Sequence, residues 1–281
     1  MIRILTDSAA DLTAMERNID GVYVVPLNVR FENGDTVRDG VDMTHEEFYT
    51  RLLAAEKLPT TSQPSPEAFI TEFEAAKAAG DETVVITIAA ALSGTFQSAR
   101  LAAEDCDYHD VYFVDSLTGS AGEGILVREA LRLRAEGIGA SEIAASLDLL
   151  KPRICILAVV DSLKHLHKGG RLPAAIALMG GALGIKPVLS VLNGGIRMAD
   201  KARGRPGAYV AMFRQIDTLG GLDPAFGYTL LYSNDKSVLA PVHHYMHHNL
   251  NLSGGHLVQF GATIGTHVGP STAGICFVRK A

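Results

Sequence analysis

Short apolar runs alternate with helix-like patterns along the first half of the chain. The apolar runs lie at 2–5, 83–88 and 111–114, and helix-like patterns cover 66–79, 95–103, 123–136 and 142–150. This alternation is the form of successive βαβ units, so it predicts a mostly parallel sheet flanked by helices. Ser141 is expected to cap the last of these helices.

Each of the three apolar runs leads into hydroxyl or carboxyl groups. Residues 6–8 (TDS) follow the first run, residues 89–95 (AAALSGT) follow the second, and Asp115 and Ser116 follow the third. Ligands of open parallel sheets bind outside the carboxyl ends of the strands. We therefore expect these polar groups to share one crevice.

The pattern changes after Lys151 and Pro152. A strand-like run at 154–160 precedes a loop, a small-residue helix near 173–183, a hairpin and a last apolar run at 275–278. The hairpin is predicted because Asn193, Gly194 and Gly195 separate the apolar runs 187–192 and 196–201. The sequence thus predicts an α/β protein with two domains, 1–152 with the mostly parallel sheet and 153–281 with a mixed or antiparallel sheet.

Composition is that of a folded globular protein. The 281 residues are 47% hydrophobic and 20% charged, which excludes disordered and collagen-like classes. The first residues lack the basic and apolar regions of a signal peptide, and polar or helix-breaking residues interrupt every uncharged stretch, so no integral membrane span is expected. Cys106, Cys155 and Cys276 form no CxxC pair. A reducing, cytoplasmic location is therefore predicted.

Charge is distributed unevenly along the chain. The net charge of −6 argues against nucleic acid as a partner, yet residues 1–150 carry a net −15 and residues 151–205 a net +8. The basic block is also rich in glycine. It is interpreted as a docking surface for a phosphate or an acidic partner, and a solvated face is the alternative.

Two clusters of hydroxyl side chains are the candidate chemistry. Thr60, Thr61 and Ser62 lie in PTTSQPSP, and Ser93 and Thr95 lie in LSGTFQSA. Each cluster precedes a predicted helix, so capping of that helix, by Ser65 or by Ser93, is the alternative explanation. Hydroxyls at a helix N-terminus suit a carboxylate or a phosphate, because they offer neutral donors beside a positive dipole end.

The motifs bear on two further functions, nucleotide binding and serine-dependent hydrolysis. Neither GxGxxG nor GxxxxGK occurs, so nucleotide binding by this chain is not expected. Ser93, Asp115 and His267 occur in the chain order of α/β-hydrolases. The GxSxG elbow is missing, however, because Ala91 and Thr95 stand where the two glycines are required.

Four histidines form an HHxxHH pattern, with two pairs spaced i, i+4 on a predicted helix. They are His243, His244, His247 and His248. This spacing can ligate a metal, but no HExxH glutamate accompanies it. The pattern is interpreted as an exposed helix face or a partner contact, and no metal site is assigned.

Together these motifs resemble the DegV family of fatty-acid-binding proteins over nearly the whole chain. The similarity lies in eight segments in order: TDSAADL (6–12), TTSQPSP (60–66), LSGTFQSA (92–99), VDS (114–116), HKGGRL (167–172), IKPVL (185–189), KARG (201–204) and HVGP (267–270). The resemblance implies a two-domain α/β protein that encloses a long-chain fatty acid, such as palmitate, between its domains. It also implies a carrier without catalysis of its own, which presents the carboxylate to a separate ATP-binding subunit of a bacterial fatty acid kinase. No cofactor is implied besides this ligand.

The resemblance also assigns roles to residues. The carboxylate-holding positions fall on Thr61, with Ser62 beside it, and on Ser93, and His267 matches a histidine near the headgroup. The partner-docking or phosphate positions fall on Arg171 and Arg203, and Lys186 of the same basic block is grouped with them. One departure is Ser271, which replaces a glycine common after HVGP.

Two alternative functions stay open at this stage. One is an esterase that uses Ser93 with His267. The other is a lipid-responsive regulatory protein that binds its ligand without any kinase.

Overall fold

The computed structural model describes residues 1–177 and 184–281. Its strands are β1 Ile2–Asp7, β2 Val22–Val25, β3 Asn28–Arg30, β4 Thr36–Arg38, β5 Thr60–Ser62, β6 Glu82–Thr87, β7 Val111–Asp115, β8 Ile154–Val159, β9 Ile185–Leu192, β10 Gly195–Arg203, β11 Tyr228–Tyr232, β12 His256–Gln259 and β13 Ala273–Val278. Its α-helices are α1 Ala14–Arg17, α2 His45–Ala54, α3 Pro66–Ala79, α4 Thr95–Asp105, α5 Ala121–Ala135, α6 Ala140–Leu150, α7 Lys164–Lys168, α8 Ala174–Ala177, α9 Gly204–Thr218, α10 Ala240–His248 and α11 Ala262–Val268.

The first sheet is parallel, as its βαβ pattern predicted. Its strand order is β2-β1-β6-β7, and β1, β6 and β7 are the three apolar runs of the sequence. Adjacent strands pair in parallel register, with Ile4 opposite both Val22 and Val84. The carboxyl ends of these strands therefore meet at one edge, as expected.

A small antiparallel sheet of order β4-β3-β5 lies apart from the first sheet. Its strand β5 consists of Thr60, Thr61 and Ser62, with Val29 of β3 opposite Thr61. The sequence pattern of these residues predicts hydroxyl groups just before a helix and does not predict a strand. In the strand, successive side chains point to opposite faces: Thr61 is half-buried and its two neighbours are exposed.

The third sheet is mixed and has six strands in the order β10-β9-β8-β13-β11-β12. All of its neighbours pair antiparallel except β11 and β12. The predicted hairpin joins β9 to β10 through Asn193 and Gly194, whose φ angles of 50° and 77° are those of a type I′ turn. The described strands of this sheet all follow residue 152, and the two other sheets precede it. The division into domains at this residue stays a prediction.

The two faces of the third sheet have different environments. Cys155, Leu157 and Val159 of β8 belong to a core formed with helices α9 and α10. Ile154 and Ile156, on the opposite face, pack in a core that includes α5 and α6. Apolar packing is thus continuous across residue 152.

Two carboxylates from the first 40 residues hold the start of α11. Asp11 accepts a hydrogen bond from the backbone N–H of Gly261 at 2.9 Å, and Asp39 accepts from Ala262 and Thr263 at 2.9 and 3.1 Å. Carboxyl oxygens in this position accept hydrogen bonds from the free N–H groups at the start of a helix. Burial raises the pKa of Asp11 to about 8, with a further contribution from neighbouring Asp39.

Helix ends depart from the predictions in small ways. Gly139 precedes α6 and Gly94 precedes α4, so neither Ser141 nor Ser93 is the N-cap residue. Ser65 is the N-cap position of α3 but makes no side-chain capping bond. Of the helix predicted near 173–183, α8 is described, and residues 178–183 lie outside the described chain. Within the described residues, no helix has the length and apolar character needed to cross a bilayer.

Candidate functional site

An apolar cavity lies between the third sheet and the loops that follow the first sheet. The space inside it, counted together with the open solvent at its mouth, is about 850 Å³. The lining is apolar apart from a few hydroxyls and two basic side chains: Leu27, Thr61, Ile88, Leu92, Ser93, Gly119, Ser120, Ile156, Ala158, Val160, Leu166, Arg171, Leu189, Val191, Ile196, Phe260, Thr263, Ile264, His267 and Val268.

One wall of this cavity is a face of the third sheet. Ile156 and Ala158 of β8, and Val160 just beyond it, alternate along the chain and so point to the same side. Leu189 and Val191 of β9 pair with Ala158 and Ile156 and extend this wall. The strands present only aliphatic carbon, which offers no polar partner to a ligand's tail.

The opposite wall comes from the carboxyl edge of the first sheet and from α11. Leu27, Ile88 and Leu92 follow strands β2 and β6, and Ile264 and Val268 lie on α11. The crevice expected from the polar strand ends is therefore present. The surface of this crevice is more apolar than expected from the hydroxyl and carboxyl groups that follow the strands.

Thr61 and His267 meet at the cavity although 206 positions separate them in the chain. The Oγ1 atom of Thr61 lies 2.8 Å from Nε2 of His267. Pairing of β5 with β3 places Thr61, and the clamp of Asp11 and Asp39 on α11 places His267. The two tertiary contacts together bring the hydroxyl to the imidazole.

His267 is held as a neutral imidazole. Burial, with smaller contributions from nearby Arg171 and His165, lowers its pKa from 6.5 to about 4. Its Nδ1 has no hydrogen-bond partner among the described residues and faces Gly169, where a Cβ would collide with it. We therefore assign the single ring proton to Nε2, which donates to Thr61 and leaves the threonine O–H free to donate to a ligand.

Ser93 lies beside this pair in the lining, half-buried in the turn before α4. Its Oγ is 2.8 Å from Oγ1 of buried Thr95. The residue between Ser93 and Thr95 is Gly94. A side chain would not fit there, because the side chain of Gln63 occupies the space that a Cβ would need. Because Thr95 can occupy one of its hydrogen-bonding positions, Ser93 is oriented and keeps a second position for a ligand.

Arg171 brings a positive charge to the same region. Its Nε donates to the carbonyl of Leu92 at 3.1 Å and its Nη1 to the carbonyl of Gly169 at 2.7 Å. Neither partner is charged, so the guanidinium is positioned without being neutralised. Among the lining residues of the described chain, it is the one lysine or arginine.

Three other predicted residues lie outside the lining. Ser62 is exposed on β5, on the face opposite Thr61. Lys186 forms an ion pair of 2.5 Å with Asp161. Arg203 is exposed at the end of β10, immediately before α9.

The structure adds lining residues that the sequence analysis did not select. Thr263 contributes a buried hydroxyl that has no partner among the described residues, and the Ser120 hydroxyl donates to Asp11 at 2.5 Å. Both belong to segments without a recognisable motif. Ser120 immediately precedes α5, and only the tertiary fold brings it and Thr263 to the cavity.

The described residues hold no serine-hydrolase triad built on Ser93. His267 bonds to Thr61 through Nε2, and its Nδ1 has no carboxylate partner. Asp115 instead accepts the backbone N–H groups of Ala90 and Leu117, each at 3.1 Å. A triad requires a base bonded to the nucleophile and oriented by a third group, and neither bond is made.

Comparison with known proteins identifies the family of the chain. The family model described as "Uncharacterised protein, DegV family" matches residues 1–280. The chain belongs to the DegV family. A DegV domain-containing protein of Caldanaerobacter subterraneus subsp. tengcongensis is 34% identical over 279 residues, with 99% of both chains covered. The family predicted from the sequence motifs is thus confirmed.

Solved structures of other DegV proteins share the fold. A fatty-acid-binding DegV family protein from Thermus thermophilus superposes with a TM-score of 0.89 at 32% identity, over 99% of each chain. A fatty-acid (stearic acid)-binding protein from Eubacterium ventriosum superposes with a TM-score of 0.88 at 27% identity, over 100% of this chain and 99% of that one. The α/β fold class predicted from the sequence is confirmed.

Proposed function

We propose that this DegV protein binds a long-chain fatty acid such as palmitate in the cavity and presents its carboxylate to an ATP-binding kinase subunit. The observation that carries the proposal is a mostly apolar cavity whose lining also includes the polar side chains of Thr61, Ser93, Arg171 and His267. The fatty-acid ligands named for the two structural neighbours support the same ligand class.

The tail supplies most of the affinity in this proposal. About 15 methylenes at roughly 0.8 kcal/mol each contribute at most about 12 kcal/mol before the costs of association. A headgroup site need only orient the carboxylate. Neutral hydroxyl donors suffice for that, because they fix the geometry without a full ion pair.

The headgroup contacts follow from the donors that remain available. The Thr61 hydroxyl donates to one carboxylate oxygen while its own oxygen accepts from His267, and Ser93 donates to the carboxylate as well. Arg171 balances the negative charge from close by. Ser62 does not contact the carboxylate in this arrangement. Of the two neighbouring hydroxyls suggested by the sequence, only that of Thr61 binds it.

Phosphorylation of the carboxylate requires a partner. An acyl phosphate forms from a nucleotide and magnesium in line with the carboxylate, and this chain carries no glycine loop that would hold the polyphosphate. The positive charge of residues 151–205 supports an acidic partner. Arg171, which hydrogen-bonds only to backbone carbonyls, and the exposed Arg203 would offer positive charge to that partner or to the nascent phosphate, whereas Lys186 already pairs with Asp161.

Mass spectrometry of lipid released from denatured, purified protein tests the ligand. We expect one long-chain fatty acid per chain, either carried through purification or taken up on addition of palmitate. Well-folded protein that neither carries nor takes up fatty acid would contradict the proposal. Labelling of Ser93 by a fluorophosphonate probe would favour the esterase, because a serine without a base should stay unlabelled.

The kinase arm is tested separately by co-purification from the native cell. Recovery of an ATP-binding protein that forms acyl phosphate on the loaded chain supports the carrier role. A loaded protein that is recovered without any such partner would instead favour the regulatory alternative.

A further inference from the structure

The four histidines of α10 have no part in the function proposed above. Helix α10 is anchored on its inner side by the buried residues Val242 and Met246. All four histidines lie on the exposed surface of the helix: His243, His244, His247 and His248. Their imidazoles are therefore accessible from solvent.

The two i, i+4 pairs differ in geometry. The ring centres of His244 and His248 are 4.4 Å apart with an angle of 40° between the rings. Those of His243 and His247 are 6.4 Å apart with parallel rings. Of these two pairs, only His244 and His248 are close enough for both rings to reach one small ion side by side. The ring centres of His247 and His248 are also near, at 4.6 Å, but adjacent residues do not face each other on a helix.

Coordination geometry shows which ion the close pair fits. A metal about 2.1 Å from one nitrogen of each ring lies roughly 3.2 Å from each ring centre, so two imidazoles at 90° have centres about 4.5 Å apart. The 4.4 Å between His244 and His248 agrees with that value. A separation of 6.4 Å would require the metal to lie in line between the rings, which is not the arrangement of a chelate.

We propose that His244 and His248 form a two-point chelate for a divalent late first-row transition metal, with Ni²⁺ as the test ion. Imidazole nitrogen suits Ni²⁺, Cu²⁺ and Zn²⁺, whereas Mg²⁺ and Ca²⁺ prefer oxygen. The described residues contain no group of three or more metal-ligating side chains. Water therefore fills the remaining coordination positions, and the ion exchanges with solvent.

The position of the site follows from its neighbours. His244 also lines a surface groove between α9 and α10, together with Phe213 and Tyr245, whose stacked rings have centres 4.0 Å apart. A metal on this pair would lie at the rim of the groove. The site is separate from the fatty-acid cavity, with which the groove shares no lining residue.

Isothermal titration calorimetry with NiCl₂ tests the chelate on the full chain without an affinity tag. The double variant His244→Ala/His248→Ala should bind Ni²⁺ at least roughly tenfold more weakly, because loss of second-shell partners alone costs about 10- to 100-fold. The matched variant His243→Ala/His247→Ala removes the same number of imidazoles from the same helix. It should bind like the wild type.

Two results would overturn the proposal. One is a wild-type protein that does not bind Ni²⁺, and the other is an equal loss of affinity in both double variants. A thermal melt gives a second readout that does not depend on lipid: Ni²⁺ should raise the Tm of the wild type and of the matched variant, and leave that of His244→Ala/His248→Ala unchanged. The melts without metal show that all three proteins fold.

Discussion

The Nε2 atom of His267 lies 2.8 Å from the hydroxyl oxygen of Thr61. With Nδ1 packed against Gly169, this bond determines which nitrogen carries the proton and so which way the threonine hydroxyl points. In the proposed complex, the imidazole would act on the ligand through Thr61, as a positioning residue. Its neutral state matters because a charged ring would compete with Arg171 for the carboxylate.

Removal of the Ser93 hydroxyl should weaken the binding of fatty acid without disturbing the fold. Ser93→Ala takes one donor from the carboxylate, for an expected loss of about 1 to 3 kcal/mol in palmitate binding. Competition with a fluorescent fatty acid measures this loss. Ser62→Ala is the matched control, because that serine is exposed and lies outside the lining. Equal effects from both substitutions would remove Ser93 from the site.

A methyl group at Gly169 should displace the imidazole. Gly169 has a φ of −76°, which alanine adopts without strain, so the effect of Gly169→Ala comes from the collision of its Cβ with Nδ1 of His267. We expect palmitate binding to weaken, because the displaced imidazole no longer orients Thr61, and the overpacking should cost about 1 to 3 kcal/mol of stability. Gly139→Ala, at a φ of −70° and with its Cβ in ordinary contact with the Glu142 carboxylate at 3.8 Å, should leave binding unchanged.

Acid should destabilise the protein through His267. Its pKa is about 4 when folded and 6.5 otherwise, so the unfolded chain binds more protons between these values and the free energy of unfolding falls as the pH drops from 6.5 to 4. The loss is at most about 3 kcal/mol. Urea titrations should show this loss in the wild type and in His256→Gln, an exposed control, and a smaller loss in His267→Gln.

The contribution of Asp11 to stability should have the opposite dependence on pH. Its folded pKa of about 8 is raised above 3.8, so its contribution to stability is fully present below pH 3.8 and is lost as the pH rises through 8. The Asp11→Asn variant is neutral throughout. The stability of the wild type relative to this variant should therefore fall between pH 5 and pH 8, and a constant difference would show that Asp11 is already ionised.

Filling the cavity should exclude the acyl chain. The Ala158→Phe variant places a ring in the space beside Leu189 and Val191, so bound palmitate measured by mass spectrometry should fall well below one per chain. A thermal melt of the variant shows that it folds. Leu157→Met on the opposite face is the control. A folded Ala158→Phe protein with full palmitate content would contradict this location of the ligand.

Sequence patterns predicted strands of the first and third sheets but not the cavity. The continuous apolar run 154–160 predicts a strand, and it is the same whether the face of Ile156, Ala158 and Val160 meets side chains or empty space. Volume depends on how far α11 and the loops after the first sheet stand from this wall, which no local pattern encodes. The family resemblance, and not periodicity, pointed to an enclosed ligand.

The hydroxyl cluster at 60–62 shows how tertiary pairing decides where a predicted site residue points. The family resemblance places Thr61 and Ser62 together at the carboxylate. Pairing with β3 turns the segment into a strand, and the two-residue period sends Ser62 to the outer face. Three residues are too few for a periodic signal, so tertiary pairing decides their orientation.

The clamp of Asp11 and Asp39 on α11 also determines when the compartment can first exist during synthesis. Asp11 and Asp39 are synthesised early, and their hydrogen-bonding partners at residues 261–263 are added only near the end of translation. A nascent chain therefore has no enclosed space for lipid while its strands are already forming. If the cavity holds fatty acid as proposed, the ligand enters only after α11 has been translated and both ends of the chain have assembled.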